Sequence, residues 1–343
     1  MNSTPQKILI IKVGRIGDMV MLTPALQRIA ELYPSARKDL MTGPDGKRMT
    51  PFLPVKFERV FIHSRRTIYF FRRLKLRREL AAERYDLILC FETNPGYRQF
   101  LAGLSERMFF PENLPGLHYS DLLLRMTHHS AGIEPAQTGR ESFPARIHVS
   151  PERETATAEF LKTLGITPEM LLIGFHPSFS GIHKPHKYIK RYRHKVWAAE
   201  NYAELAVRLA AELKKRNIPH RIVMNVVPAE RKIAENIARL SGGAAEVLDL
   251  PAGFESYLCY LKRLNLFIGP DTGPMHLSAA LGVQVIALFS GEDPEQCGPF
   301  VPYEQFTAVR AENCAHPEKG LNALSAGHIF YCTKFILTPV IYN

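Results

Sequence analysis

Apolar and polar positions fall into alternating blocks along this chain, and the blocks predict strands and helices in turn. The largely apolar run Ile8–Val13 ends at Gly14 and predicts a buried strand. The next segment, Asp18–Leu32, carries apolar residues at nearly helical spacing and predicts a helix. Because strands that alternate with helices form parallel sheets covered on both faces, the pattern predicts an α/β protein.

The same alternation continues through most of the chain. We predict further strands over Leu87–Phe91, Leu171–Phe175, Arg221–Asn225, Glu246–Asp249, Leu266–Ile268 and Val283–Phe289, and further helices over Glu152–Leu164, Ala198–Arg216, Ala229–Leu240 and Glu255–Arg263. A short helix opened by Pro274 completes the set.

A polar stretch over residues 139–151, which contains Pro144 and Pro151, interrupts this alternation. A chain of 343 residues suits two medium-sized domains better than one. We therefore predict two doubly wound domains, residues 1–150 and 151–343, that face each other across a cleft. Ligands of such folds bind at the carboxyl ends of the strands.

The turn between the strand at Leu266 and the helix opened by Pro274 carries the strongest chemical signal. Thr272 and Gly273 stand at the start of that helix, where unpaired backbone N–H groups and the positive end of the helix dipole attract phosphate. Asp271 and His276 add a carboxylate and an imidazole beside this position. The segment predicts a site for a ligand that carries a pyrophosphate.

A second glycine turn, Gly14–Asp18, follows the first strand. It lacks the spacing of the dinucleotide-binding fingerprint. Its glycines allow a tight turn and a close approach to a ligand. Asp18 either caps the helix that follows or takes part in the chemistry.

Basic residues exceed acidic residues by 44 − 33 = 11, which favours an anionic partner. In the basic stretch 184–195 we single out Lys195, which would neutralise a leaving diphosphate, and we expect most of the other charges to be solvated. Glu230 begins a helix, where it either accepts hydrogen bonds from ribose hydroxyls or simply complements the helix dipole.

A second basic stretch covers residues 65–84, in which eight Arg and Lys residues stand against two Glu residues. Aromatic and aliphatic residues interleave with the charges. The segment is expected either to contact an anionic membrane or phosphorylated acceptor, or to form a surface helix with a buried apolar face. The residues assigned to the anionic contact are Arg65, Arg66, Arg72 and Arg73.

Several other classes of protein are disfavoured. No apolar run is long enough to span a bilayer, and the N-terminus has no secretory pattern. Five scattered cysteines without a C-x-x-C pair disfavour a disulfide framework or a zinc site and favour a reducing cytoplasm, although Cys314 and Cys332 could still pair or share a metal. A D-x-D pair and a G-x-S-x-G nucleophile turn are also absent from the sequence.

Several separated motifs resemble those of the bacterial heptosyltransferases, glycosyltransferase family 9, and occur in the family's order. They are Ile8–Leu26, Tyr85–Leu89, Lys195-Val-Trp197, Pro228-Ala-Glu-Arg231 and Gly269–Leu277 with Ala279–Gly282. The resemblance covers residues 5–310.

The resemblance implies a GT-B fold and an inverting transfer of heptose from ADP-heptose to the inner core of lipopolysaccharide, without metal or cofactor. The enzyme would work on the cytoplasmic side of the inner membrane, peripherally attached, on a phosphorylated, lipid-linked glycan. By the same resemblance, Asp18 is the general base and Lys195 binds the donor phosphates. Glu230 binds the ribose, and Asp271 lies beside the donor sugar. Thr272 and Gly273 donate to the diphosphate, and His276 belongs to the same donor signature.

Two departures from the family pattern leave substrate choice open. His194 stands where the family usually has Asp, and Ala198 where it has Pro. An alternative is a family 9 transferase with another nucleotide sugar or a non-lipopolysaccharide acceptor. A non-catalytic nucleic-acid-binding protein would also use basic segments, but the sequence shows no recognised nucleic-acid module, and we expect no such partner.

Overall fold

The computed structural model describes residues 4–63, 70–112, 114–134, 139–178 and 193–342. The chain divides into an N-terminal unit, Met1–His148, and a C-terminal unit, Val149–Asn343. The predicted boundary after residue 150 lies two residues further along the chain.

Eleven strands are present among the described residues, each unit being built around one parallel sheet. In chain order they are β1 Lys7–Lys12, β2 Arg37–Thr42, β3 Val60–Ile62, β4 Leu87–Cys90, β5 Met108–Phe109, β6 Leu171–Phe175, β7 His220–Met224, β8 Glu246–Val247, β9 Leu266–Pro270, β10 Gln284–Phe289 and β11 Phe306–Arg310.

The helices lie between the strands, as the alternating pattern predicted. In the N-terminal unit they are Ile16–Leu32, Pro44–Met49, Phe70–Glu83, Gly96–Leu101 and Tyr119–Ser130. In the C-terminal unit they are Pro151–Thr163, Ala199–Lys215, Arg231–Leu240, Phe254–Arg263, Gly273–Ala280, Pro294–Cys297 and Ala326–Tyr342.

The N-terminal sheet has the order β3-β2-β1-β4-β5, and its strands pair in parallel. The central strand β1 is buried on both sides, because Ile8–Ile11 have no exposed surface. Asp86, in the Tyr85-Asp86 pair before β4, stabilises the amino end of the neighbouring strand β1. One oxygen of Asp86 accepts the amides of Gln6 and Lys7, both at 2.8 Å.

The C-terminal sheet has the order β11-β10-β9-β6-β7-β8, again with parallel pairing. The chain runs outward from β6 to β8 on one side and from β9 to β11 on the other. The direction of winding therefore reverses between β6 and β9. In open α/β sheets the crevice for ligands forms beside such a reversal, at the carboxyl ends of the strands. Together the two sheets confirm the predicted two-domain α/β fold.

The strand β2 was not predicted, because its first half is ionic. Lys38 and Asp39 are nevertheless buried, with 7% and 0% of their surface exposed. Arg37 and Tyr85 bind the Asp39 carboxylate, both at 2.8 Å, so the charge is buried with partners. A strand that begins with buried charged residues cannot be recognised from an apolar run.

Some predicted boundaries shift by one or two residues. The first helix begins at Ile16 rather than Asp18, directly after Arg15, whose backbone is extended. The five cysteines, including Cys314 and Cys332, are free thiols.

Candidate functional site

The turn after β9 forms the start of the helix Gly273–Ala280. Thr272 precedes the helix in an extended conformation, with φ −151° and ψ 170°. Its hydroxyl donates to the carbonyl of Pro270 at 3.2 Å and does not cap the helix. Within the part of the chain that the structure describes, the amides of Thr272 and Gly273 have no hydrogen-bond partner. Both residues are partly exposed, so these donors are available to an anion.

A lysine between two carboxylates lies beside this turn. Nζ of Lys195 is 2.9 Å from Oδ2 of Asp271 and 3.5 Å from Oε1 of Glu292. Burial disfavours the charged lysine, but the attraction of Asp271, followed by that of Glu292, outweighs it and raises the pKa of Lys195. Lys195 therefore keeps its positive charge, and its ammonium lies at the carboxyl ends of β9 and β10.

Trp197 is buried and anchors the segment that carries Lys195. Its indole N–H donates to the carbonyl of Leu324 at 2.9 Å, and its ring packs edge-on against Tyr202 with centroids 4.6 Å apart. Asn322 adds two bonds, accepting from the amide of Ala198 at 2.8 Å and donating to the carbonyl of the residue before Trp197 at 3.2 Å. The tryptophan of the K-x-W motif thus has a structural role.

Gly320 lies against the same segment. It has φ +60°, and a Cβ atom there would lie 2.5 Å from Cα of His194. Only glycine combines this conformation with this contact. The short turn Arg193–Lys195 consequently packs directly on the chain around Gly320.

The remaining predicted donor-site residues, Glu230 and His276, lie in the same C-terminal unit. Glu230 is buried just before the helix Arg231–Leu240, at the carboxyl end of β7. Burial, followed by the nearby Glu230 carboxylate, raises the pKa of Tyr257. His276 is buried on its helix, with Nε2 3.9 Å from Oδ1 of Asp271, which is beyond hydrogen-bond distance.

His176 is a residue at this edge that the sequence analysis did not single out. It directly follows β6, and its amide donates to the carbonyl of Ile268 at 3.0 Å, which places it where the sheet reverses. Its ring stacks on Phe267 at 6.3 Å, and Tyr202 donates to its carbonyl at 3.0 Å. Burial lowers the pKa of His176 to about 4, so the imidazole is neutral at pH 7. The sequence does contain a signal for His176, because it is a polar residue directly after the buried strand β6.

In the N-terminal unit, Asp18 lies in the first turn of the helix Ile16–Leu32. Its Oδ2 accepts the amide of Arg15 at 2.7 Å, so Asp18 is the third residue of the helix and bonds back to Arg15, which occupies the N-cap position that one alternative gave to Asp18. Gly14 permits this arrangement, because a Cβ there would lie 2.4 Å from that of Asp18. The bond uses Oδ2 and leaves Oδ1 to accept another donor.

A buried ionic group, also missed from the sequence, lies close to Asp18. Nζ of Lys12 is 2.7 Å from the hydroxyl of Tyr119 and 3.4 Å from Glu92. Burial disfavours the charge of Lys12, but Tyr119, Glu92 and Asp18 outweigh it and raise its pKa. Glu92 also accepts the amide of Val13 at 2.8 Å. These contacts hold together the carboxyl ends of β1 and β4, close to Asp18.

Of the predicted anion-contact residues, Arg72 and Arg73 lie on the helix Phe70–Glu83. Arg72 is exposed, whereas Arg73 is half-buried with its guanidinium 5.6 Å from the ring centre of Phe100. Arg65, Arg66 and the basic residues 184–191 lie outside the described residues.

The described residues contain no cluster of three or more His, Cys, Asp or Glu side chains that could hold a metal ion. None of the helices in the described ranges is long and apolar enough to cross a membrane.

Comparison with known proteins gives matches over the C-terminal unit and over the fold. Residues 188–325 match the model of glycosyltransferase family 9 (heptosyltransferase). A segment of 125 residues is 27% identical to the lipopolysaccharide core heptosyltransferase OpsX of Haemophilus influenzae. That segment covers 35% of this chain and 33% of the relative, so the match spans a third of the relative's length.

Solved structures match nearly the whole chain. A family 9 glycosyl transferase from Veillonella parvula has a TM-score of 0.77 at 16% identity, over 97% of this chain and 98% of its own. The ADP-heptose lipopolysaccharide heptosyltransferase II of E. coli has a TM-score of 0.70 at 16% identity, over 97% and 99%. The E. coli heptosyltransferase WaaC with ADP has a TM-score of 0.69 at 18% identity, over 96% and 99%. At these identities the structures show a shared fold.

Proposed function

We propose that this chain is a member of glycosyltransferase family 9 (heptosyltransferase) and that it transfers heptose from ADP-heptose to the inner core of lipopolysaccharide with inversion at the anomeric carbon. The observation that carries the proposal is the pair of unpartnered amides at Thr272 and Gly273 beside the ammonium of Lys195. Two N–H donors and a cation at the carboxyl end of a parallel sheet suit a diphosphate.

The donor would bind by its diphosphate, its ribose and its sugar. The amides of Thr272 and Gly273 would hold phosphate oxygens, and Lys195 would turn from Asp271 and Glu292 towards the same charge. Glu230, at the end of β7, would accept hydrogen bonds from the ribose hydroxyls. The carboxylate of Asp271 would then face the transferred sugar.

The transfer needs one base and one stabilised leaving group. Asp18 would accept the proton of the acceptor hydroxyl while the oxygen of that hydroxyl forms a bond to the anomeric carbon. The bond from that carbon to the phosphate oxygen breaks, and ADP leaves with the electron pair. Because Lys195 and the two amides stabilise the charge of ADP, we propose a reaction that needs no metal or cofactor.

The acceptor would be a phosphorylated, lipid-linked glycan at the cytoplasmic face of the inner membrane. The helix Phe70–Glu83 supports this proposal, because Phe71 is 83% exposed beside the exposed cations Arg72 and Lys75. Such a surface attracts anionic lipid headgroups and phosphorylated glycans alike. Arg65 and Arg66, earlier in the same basic stretch, would add to the attraction.

The variant Asp18→Asn tests the chemical role. It keeps an oxygen that can accept the amide of Arg15 but removes the base, so kcat should fall by about a thousandfold while ADP affinity stays within about twofold. Calorimetric titration with ADP and a turnover assay measure the two quantities. A variant with wild-type kcat would show that Asp18 is not the base.

A second candidate keeps the family but changes the substrate, to another nucleotide sugar or a non-lipopolysaccharide acceptor. The departures at His194 and Ala198 motivate it, since both flank the Lys195–Trp197 segment. A panel of nucleotide sugars tested against one lipopolysaccharide-core acceptor separates the two candidates. Turnover with ADP-heptose supports the first, and turnover with a different sugar supports the second.

A further inference from the structure

A groove of about 830 Å³ opens at the amino ends of β2 and β3 in the N-terminal unit. Its walls come from the end of the first helix, the start of β2 and the segment before β3. The lining residues are Ala30, Pro34, Ser35, Ala36, Arg37, Lys38, Pro54, Val55, Lys56, Glu58 and Arg59. Four of these side chains are cations and one is an anion, so the groove lining is basic.

Lys38 is the unusual member of this lining. Only 7% of its surface is exposed, and its ammonium donates to the carbonyls of Tyr33 at 2.6 Å and Ala36 at 2.8 Å. No carboxylate among the described residues lies within ion-pair distance of it. Two carbonyls at a helix end partly compensate the charge, but they leave the third N–H of the ammonium unused. Burial accordingly lowers the pKa of Lys38.

The neighbouring arginines are paired but do not cancel the excess of positive charge. Arg37, Arg59 and Lys7 all converge on the single carboxylate of Glu83, with Arg37 at 3.3 Å and Lys7 at 3.1 Å. Arg37 also forms an ion pair with Asp39. The charged groups in and beside the groove include five cations and three acids, an excess of 5 − 3 = 2. The cations are Arg37, Arg59, Lys7, Lys38 and Lys56, and the acids are Asp39, Glu58 and Glu83.

We propose that this groove is a second anion site, which binds a phosphate dianion, either free or as a phosphomonoester, against Lys38, Lys56 and the edges of Arg37 and Arg59. A dianion matches the excess of two positive charges and supplies the acceptor that the ammonium of Lys38 lacks. The site is separate from the proposed donor site, which lies in the C-terminal unit.

The groove is also separate from Asp18. β1 and β2 run in parallel, with Lys7 beside Arg37 and Lys12 beside Thr42. Asp18 follows the carboxyl end of β1, whereas the groove lies at the amino end of β2. A strand of that length spans roughly 20 Å, so an anion in the groove does not contact the reacting hydroxyl.

Methyl resonances provide a site-resolved test in the full-length protein. Ala36 and Val55 line the groove, whereas Ala279 lies on the helix that begins at Gly273. Inorganic phosphate and a sugar phosphomonoester are titrated separately at constant ionic strength. We expect saturable shifts of Ala36 and Val55, whatever happens at Ala279, and the tighter ligand identifies the source of the phosphate.

Variants decide whether the named cations are responsible. Lys38→Met should weaken the dissociation constant read from Ala36 and Val55 by about tenfold or more, and the exposed Lys56→Gln by about threefold. The control Lys47→Gln changes an exposed lysine outside the groove and should have no effect. Unsaturable shifts in the wild type, or equal affinities in Lys56→Gln and wild type, would overturn the proposal. Because the readout is local to the groove, a failed donor-site assay does not affect it.

Discussion

Nζ of Lys195 lies 2.9 Å from Oδ2 of Asp271, and this ion pair joins the K-x-W segment to the turn that begins the helix Gly273–Ala280. The two residues are far apart in sequence, and each belongs to a different family motif. The contact brings the two motifs together, as the proposed anion site requires: one would supply the cation and the other the backbone donors.

Replacing the cation should weaken nucleotide binding. In Lys195→Met the carboxylates of Asp271 and Glu292 remain without their shared partner and repel the diphosphate. Charge-assisted contacts contribute about 1.5–3 kcal/mol, so the affinity for ADP should fall about 10- to 100-fold by calorimetry. Lys215→Met, at the exposed end of the helix Ala199–Lys215, is the control and should bind as the wild type does. An unchanged affinity in Lys195→Met would remove Lys195 from the donor site.

The contact between Gly320 and His194 should make a glycine indispensable. Gly320→Ala places a Cβ 2.5 Å from Cα of His194 and strains a backbone with φ +60°. Gly282→Ala is the matched control, because Gly282 has φ +89° but no atom within 4 Å of the added Cβ. We expect Gly320→Ala to lower the free energy of unfolding by about 1–3 kcal/mol more than the control, measured by urea denaturation. It should also weaken ADP binding, since His194 adjoins Lys195; equal losses in both variants would contradict this account.

The buried His176 should make stability depend on pH. Its pKa of about 4 in the folded protein lies below the ordinary value of 6.5. The unfolded chain therefore binds a proton between these values while the folded chain does not, and stability falls as the pH drops from 6.5 to 4. At about 1.4 kcal/mol per pH unit the loss approaches about 3 kcal/mol.

Urea denaturation of wild type and His176→Gln at pH 7 and pH 4.5 isolates this contribution. The wild type should lose about 2–3 kcal/mol more than the variant over that interval, because glutamine has no proton to bind. An identical pH dependence of the two proteins would mean that His176 is not held neutral by its surroundings.

The sequence predicted the parts of the fold that apolar runs and glycine turns specify. β6 occurs over the predicted Leu171–Phe175, and the helix opened by Pro274 begins at Gly273. The resemblance to family 9 is confirmed over residues 188–325, which match the model of that family. The two-domain α/β architecture follows from the same alternation of apolar runs and amphipathic segments.

Contacts between distant segments were not predictable. Glu292 belongs to no motif; the pairing of β9 with β10 places it on the same side of the sheet as Asp271, the other partner of Lys195. Lys12 and Glu92 look like interruptions after apolar runs, yet they form a buried ion pair 3.4 Å long. Periodicity reports burial of apolar residues, whereas a buried charge is stable only where tertiary structure supplies its partner.

We propose that the start of the helix Gly273–Ala280 binds the diphosphate of ADP. The most direct measurement is a titration of isotope-labelled protein with ADP, in which the backbone amide resonances of Thr272 and Gly273 are followed. We expect both resonances to shift strongly and to saturate at the dissociation constant found by calorimetry, with smaller shifts for adenosine. ADP that fails to bind, or that binds and leaves both amides unmoved, would contradict it.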